Sequence, residues 1–432
     1  MFLVDKSALF GHITFFNIAV KETTMKGNSI VAQSGGPTAV INASACGVIQ
    51  EAMKHSEIEG VYAAHNGILG VLNEKIFDMR KEETDQIEGL NVSPASALGS
   101  CRYKVKTEQD YQKILGVFRK FNIRYFFYIG GNDSQDTADK VNKLAAKEGY
   151  EMRAVGVPKT IDNDLACTDH CPGYGSVIKY LATMTMEAGR DTESLYTADT
   201  VNVIEAMGRN AGWIAAGTAL ARRNEKDGPH IILLPEVPFY ADKFKAKVDY
   251  YLTKFGFCVI VVSEGTKNPD GTYIAEDKGA FGKDSFGHTQ LGGAANFIKQ
   301  LIESQVKVKA RSAIPSTIQR NGIHCASLTD SKEAYMVGQK AVQLAVEGVS
   351  GKMVTLVRAG DDPYKCETGT AELADVANGE KLLPLEWITD DGFFVTEEFI
   401  RYARPLIQGE VQTKMKDGLP MFVRFEKHFV QI

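Results

Sequence analysis

No stretch of 18 uncharged apolar residues occurs anywhere in the 432-residue chain, so no membrane-spanning helix is expected. Neither sign of charge dominates. A net charge of −5 gives no electrostatic reason to expect nucleic acid or an anionic membrane as partner. Cysteine is sparse and odd in number, seven across the chain, which argues against a disulfide framework and for reduced thiols in the cytoplasm. Two of them bracket "CTDHC", Cys167 to Cys171 with His170 between. No second Cys or His pair follows at a spacing that would complete a four-ligand zinc site. Repeats of 20–50 residues and low-complexity tracts are missing too. The N-terminus lacks a basic start and a small-residue cleavage site, so a signal peptide is not expected. Its apolar segment, Ala8 to Val20, is interrupted by His12 and Asn17. Residues 1–24 read as an extension, not necessarily native, ahead of Met25; an ordinary N-terminal arm is the alternative.

What is present is a globular mixture, 44% hydrophobic and 24% charged, long enough for two or more domains. Short apolar runs alternate with helical patterns. Strands are expected at Ser29–Gln33, Gly60–Ala64, Arg124–Ile129, Arg153–Val157, Val201–Glu205, His230–Leu234 and Phe257–Ser263. Helices are expected at Ala39–Met53, at Gln135–Ala146 and in "GSVIKYLATMTMEAGR". This alternation predicts an α/β fold with mostly parallel sheets and helices on both faces. Asn268 to Lys309 reads as an insertion or lid that turns helical at "AANFIKQLIESQ".

Chemistry gathers at strand ends. Ser34-Gly35-Gly36 and Gly130-Gly131-Asn132-Asp133-Ser134 each follow a strand and precede a helix. Glycines there let backbone N–H groups approach an anion, and the helix N-terminus adds partial positive charge. "PKTIDND", Pro158 to Asp164, places Lys159, Thr160 and two carboxylates, Asp162 and Asp164, in one loop after a strand. A carboxylate in that place can accept a hydroxyl proton. Met207-Gly208-Arg209, Glu264 in "VVSEGTK", and Arg311 and Arg320 in "RSAIPSTIQR" follow. Arginine suits phosphate because its planar fork donates two hydrogen bonds.

This ordered series, from about Asn28 to Arg320, resembles the 6-phosphofructokinase family in its pyrophosphate-dependent form. The resemblance implies two Rossmann-like three-layer domains with the active site in the cleft between them. Residues 25–160 would form the donor domain, with C-terminal segments returning to it; 161–350 the sugar-phosphate domain; and 351–432 a C-terminal region. It implies phosphoryl transfer from pyrophosphate to the C1 hydroxyl of fructose 6-phosphate, with Mg²⁺ bridging donor oxygens and a homodimer or homotetramer as the assembly. Asp162 would be the base, and Lys159, Asp133 and Arg209 would act at the transferring group. Gly36, Arg102, Gly131, Asn132, Asp133 and Ser134 would line the donor site, Asn132 standing at the metal position. Thr160, Ile161, Met207, Gly208, Arg209, Glu264, Arg311, Thr317 and Arg320 would bind the sugar phosphate, Arg311 by reaching into a neighbouring subunit.

Three positions depart from the family pattern. Asn132 replaces a metal-associated Asp, Thr200 replaces an Arg of ATP-using relatives, and Thr317 replaces the His of "HIQR". An amide is a weaker Mg²⁺ ligand than a carboxylate. The positions of Asp133 and Lys159 are glycine in ATP-using relatives, which implies that this chain excludes ATP by bulk and charge at 133. An ATP-dependent enzyme and a catalytically weakened regulatory paralogue are the alternatives.

Overall fold

A computed structural model describes residues 25–275 and 291–431. The expected extension, 1–24, and residues 276–290 of the expected lid lie outside the described residues.

Strands β1 (Gly27–Gln33), β2 (Ile58–Ala64), β3 (Ile76–Asp78), β4 (Ile123–Gly130) and β5 (Arg153–Pro158) form most of a first sheet. Strands β6 (Val201–Ala206), β7 (Ile231–Leu233), β8 (Cys258–Ser263) and β9 (Ala310–Ala313) form a second. The chain then returns with β10 (Lys352–Asp361) and β11 (Tyr364–Glu372), which complete the first sheet in the order β11-β10-β5-β4-β1-β2-β3. The second sheet runs β7-β8-β6-β9, parallel throughout. In the first, only the outer pairs, β2 with β3 and β10 with β11, are antiparallel.

The central strands are continuous apolar runs because helices cover both of their faces. In β4, Phe126 and Tyr128 face one buried cluster, while Tyr125, Phe127 and Ile129 face the other. Helices Glu108–Lys120 and Asn132–Lys147 cover the first face. Helices Ile41–Ala52 and Leu328–Val346 cover the second. The boundary expected near 350 thus falls between a helix packed on the first sheet and the β10 strand that joins it.

Register sets the site. Gln33 pairs with Ile129 and Gly130 with Pro158, so the carboxyl ends of β1, β4 and β5 finish nearly level. The turns Ser34–Gly36, Gly131–Ser134 and Lys159–Asp162 therefore leave from one edge, where ligands of open parallel sheets bind. In the second sheet Ala206 pairs with Ser263, which brings Met207–Arg209 beside Glu264. Helix Tyr174–Ser194 links the two sheets; the buried carboxylate of Asp330 accepts N–H bonds from Gly173 and Ser176 at its start, each 2.9 Å.

Candidate active site

A cleft of about 390 Å³ opens at the facing strand ends. Its donor side is built around Gly35 and Gly36. Gly35 has φ +76°, and a Cβ there would stand 3.1 Å from the Lys159 Nζ. A Cβ on Gly36 would come within 2.9 Å of an Arg320 guanidinium nitrogen and 3.6 Å of one from Arg102. Only glycine leaves room for three cations to converge on this turn. Lys159 Nζ donates to the Gly36 carbonyl at 2.9 Å. Burial, then the neighbouring Arg102 and Arg320, lowers its pKa to about 8. Burial and Arg102 likewise lower the proton affinity of Arg320. Cations crowded and desolvated in this way are poised for an anion. The first turn of helix Asn132–Lys147 lines the same side, and a helix N-terminus favours an anion. There Asp133 is ion-paired with Lys104 at 2.8 Å, a partner that the sequence pattern did not disclose.

The base loop lies next to it. Thr160 Oγ1 accepts the Asp162 N–H at 3.1 Å. Asn163, at φ +54°, is clamped on both sides: its Oδ1 accepts from the Cys171 N–H and its Nδ2 donates to the Tyr402 hydroxyl. Enclosure in the cleft, then the charge of Asp164, raises Asp162 to about 7. Burial, then Asp162, raises Glu264 across the cleft to about 7.

The second sheet supplies the remaining wall. Gly208, at φ +126°, donates its N–H to Glu264 Oε1 at 3.3 Å and accepts from the Ser263 hydroxyl at 2.7 Å. Gln319 Oε1 accepts the Met207 N–H at 3.1 Å, so the "IQR" turn fixes the "MGR" turn.

Of the expected residues, Gly36, Arg102, Gly131, Asn132, Asp133, Ser134, Lys159, Thr160, Ile161, Asp162, Met207, Arg209, Glu264 and Arg320 line this cleft. Gly208 stands just behind its wall. Arg311 and Thr317 are not on it. Arg311 pairs with Asp199, Nε to Oδ2 2.6 Å, and lies opposite Asn202 in the register. That is four positions before Ala206 at the strand end, roughly 13 Å back along the sheet. Pro37, Asn210, Ala211 and Glu380 also line the cleft and carried no role in the sequence reading. Asn210 directly follows Met207-Gly208-Arg209, so adjacency could have found it. Glu380 lies 170 residues beyond its partner Asn210, and no pattern joins them.

The resemblance to phosphofructokinases implies a divalent metal. The cleft holds half-buried carboxylates and one orphaned oxygen, the buried Asn132 Oδ1, which has no hydrogen-bond partner among the described residues. Oxygen donors of this kind fit a hard cation that keeps much of its water. The metal-capable trio among the described residues, His170, Glu333 and Cys366, lies off the cleft wall. Both His170 nitrogens are taken, by Asp169 and Glu333 at 2.7 Å each. Burial opposes charge on His170, but these two carboxylates prevail and raise it to about 9. Asp169, His170 and Glu333 form an ionic clamp behind the base loop.

The family model described as Phosphofructokinase matches residues 28–345. A relative from Halomonas elongata, named pyrophosphate–fructose 6-phosphate 1-phosphotransferase, is 48% identical over 94% of this chain and 97% of its own. One of the same name from Methylococcus capsulatus is 46% identical over 92% and 95%. The crystal structure of a pyrophosphate-dependent phosphofructokinase from Nitrosospira multiformis superposes with a TM-score of 0.87 at 44% identity, covering 94% of this chain and 98% of that one. The chain belongs to the phosphofructokinase family.

Proposed function

We propose that this chain transfers a phosphoryl group from pyrophosphate to the C1 hydroxyl of fructose 6-phosphate, reversibly, with Mg²⁺. The observation that carries the chemistry is that Asp162 shares one cleft with Lys159, Arg102 and Arg320, the three cations that converge on the Gly35–Gly36 turn. Relatives named for this reaction support the substrates. Asp162, poised near neutrality, takes the hydroxyl proton as the C1 oxygen attacks. Glu264 and the Met207–Arg209 turn hold the sugar. Lys159, Arg102, Arg209 and Arg320 balance charge on the transferring and leaving phosphates, as phosphoryl transfer requires. Asn132 Oδ1 and the cleft carboxylates would hold the ion through water; when bound, it neutralises donor oxygens. Free thiols at all seven cysteines are consistent with the cytoplasm.

The test is donor choice. Purified protein with fructose 6-phosphate is supplied with pyrophosphate or ATP at equal concentration, and fructose 1,6-bisphosphate is measured. Turnover with pyrophosphate and little with ATP is the expected result; preference for ATP sinks the reading.

Arg320 sits at the reacting end of the cleft, which leaves the 6-phosphate to groups beyond it. Arg311, away from its own cleft, serves a neighbour's site in this reading, so the smallest active unit is a dimer. Mixing an Asp162→Asn chain with an Arg311→Ala chain then restores activity that neither parent has, because one hybrid site carries neither lesion. Verified mixed dimers without recovery would count against a shared site.

A further inference from the structure

Two features have no role so far: the Asn132 side-chain nitrogen and the segment after helix Leu373–Ala377. They meet at the donor end of the cleft. Asn132 Nδ2 donates to the Gly379 carbonyl at 3.3 Å. The Lys381 N–H donates to the Asp164 carbonyl at 2.8 Å. Asn210 Nδ2 donates to the Glu380 carboxylate at 2.9 Å, and Trp213 Nε1 to the Lys381 carbonyl at 2.9 Å. Three consecutive residues are thus fastened to the donor helix, the base loop and the sugar-side turn. Gly379 is close against the base loop: a Cβ on it would stand 2.5 Å from Ala166 Cβ. An aspartate at 132, the usual family residue, has no hydrogen to give the Gly379 carbonyl when ionised; an amide has.

We propose that Gly379–Lys381 is a strap closing the donor end of the cleft, that the Glu380 carboxylate on it limits the donor to two phosphates, and that Asn132 is the positioning residue that latches it. The proposal rests on the pyrophosphate reading and deepens it. Glu380 is exposed at the cleft wall. A longer phosphate chain seated on the same turn brings further negative charge toward that carboxylate.

Inorganic tripolyphosphate is the suitable probe, being one phosphate longer than pyrophosphate with no nucleoside attached. The full chain is assayed with both donors, and amide hydrogen exchange is followed over residues 377–383. In Glu380→Gln the ratio of kcat/KM moves toward tripolyphosphate by about threefold to fivefold, the effect of one exposed charge, while exchange stays as in the parent. In Asn132→Asp the ratio moves the same way and exchange of the strap rises. Gly379→Ala, which pushes the strap off Ala166 without touching the donor helix, reproduces the Asn132→Asp result and serves as the second variant if Asn132→Asp does not fold. An unchanged donor ratio in Glu380→Gln overturns the length limit. Unchanged exchange in Asn132→Asp, or in Gly379→Ala should it replace it, overturns the latch. Wild-type preference for ATP would remove the reading beneath the proposal but leave the exchange result to be judged separately.

Discussion

Asp162→Asn lowers turnover by about 10²–10⁴-fold, the usual worth of general base catalysis, with the fold intact. The substitution keeps the side chain's shape and removes its capacity to accept a proton. The remaining cleft charges stay in place, so binding of both substrates changes far less than turnover. The pH profile supplies a second readout. Asp162 and Glu264 are each raised to about 7, by burial first, then by a neighbouring carboxylate, Asp164 for the one and Asp162 for the other. Asp162 shares its titration with Asp164, two residues on. The base must be ionised, so kcat/KM climbs as pH rises through about 7. Lys159, lowered to about 8, must be protonated to hold the donor, so kcat/KM falls as pH rises past that value. The expected bell is narrow. In Asp162→Asn the acid limb moves down, because Glu264 loses the negative neighbour that raised it. A loss below tenfold, or an acid limb left where it was, would show that Asp162 is not the base.

The sequence made this centre legible because its parts are contiguous. "PKTIDND" carries cation, hydroxyl and carboxylate in seven residues, and each glycine turn follows a strand apolar enough to be recognised. The central strands β1, β4, β5, β6 and β8 were plain for the same reason: covered on both faces, they read as unbroken apolar runs. β3 and β9 are short and, unlike the all-apolar three-residue β7, carry polar residues within them, so they do not stand out. β10 is buried only over its first half, and its partner β11 is largely exposed or half-buried, so the returning hairpin left no apolar signature. What the sequence hid was long-range pairing. Lys104 is a surface-type lysine until the fold sets it 2.8 Å from Asp133. Arg311 looks like a phosphate ligand in its motif, yet the β6–β9 register carries it back from the cleft of its own chain.

Lys159→Met lowers kcat/KM for pyrophosphate by about 10²–10³-fold, the cost of removing one preorganised charge at a transition state, with the KM for fructose 6-phosphate little changed. The asymmetry follows from where the ammonium sits. It is buried, bonded to the Gly36 carbonyl and packed between Arg102 and Arg320, on the donor side of Asp162. Methionine fills the same space without the charge. Donor exclusion at Asp133 is a smaller matter than bare Coulomb repulsion suggests. Two like charges at ~4 Å with an effective dielectric near 20 repel by roughly 4 kcal/mol, about three decades of affinity. Here the Asp133 carboxylate is paired with Lys104, and both are about a third or more exposed, so Lys104 and solvent cancel most of that field. Asp133→Gly therefore raises ATP use by about fivefold at most, not a thousandfold, the remainder of the discrimination lying in Lys159 and the strap. Lys104→Gln acts in the opposite sense: it unmasks Asp133 and weakens every anionic donor, ATP more than pyrophosphate. Steady-state constants for both donors across these three variants decide the matter. A Lys159→Met enzyme that keeps pyrophosphate turnover, or that loses fructose 6-phosphate binding instead, would place the lysine on the wrong substrate.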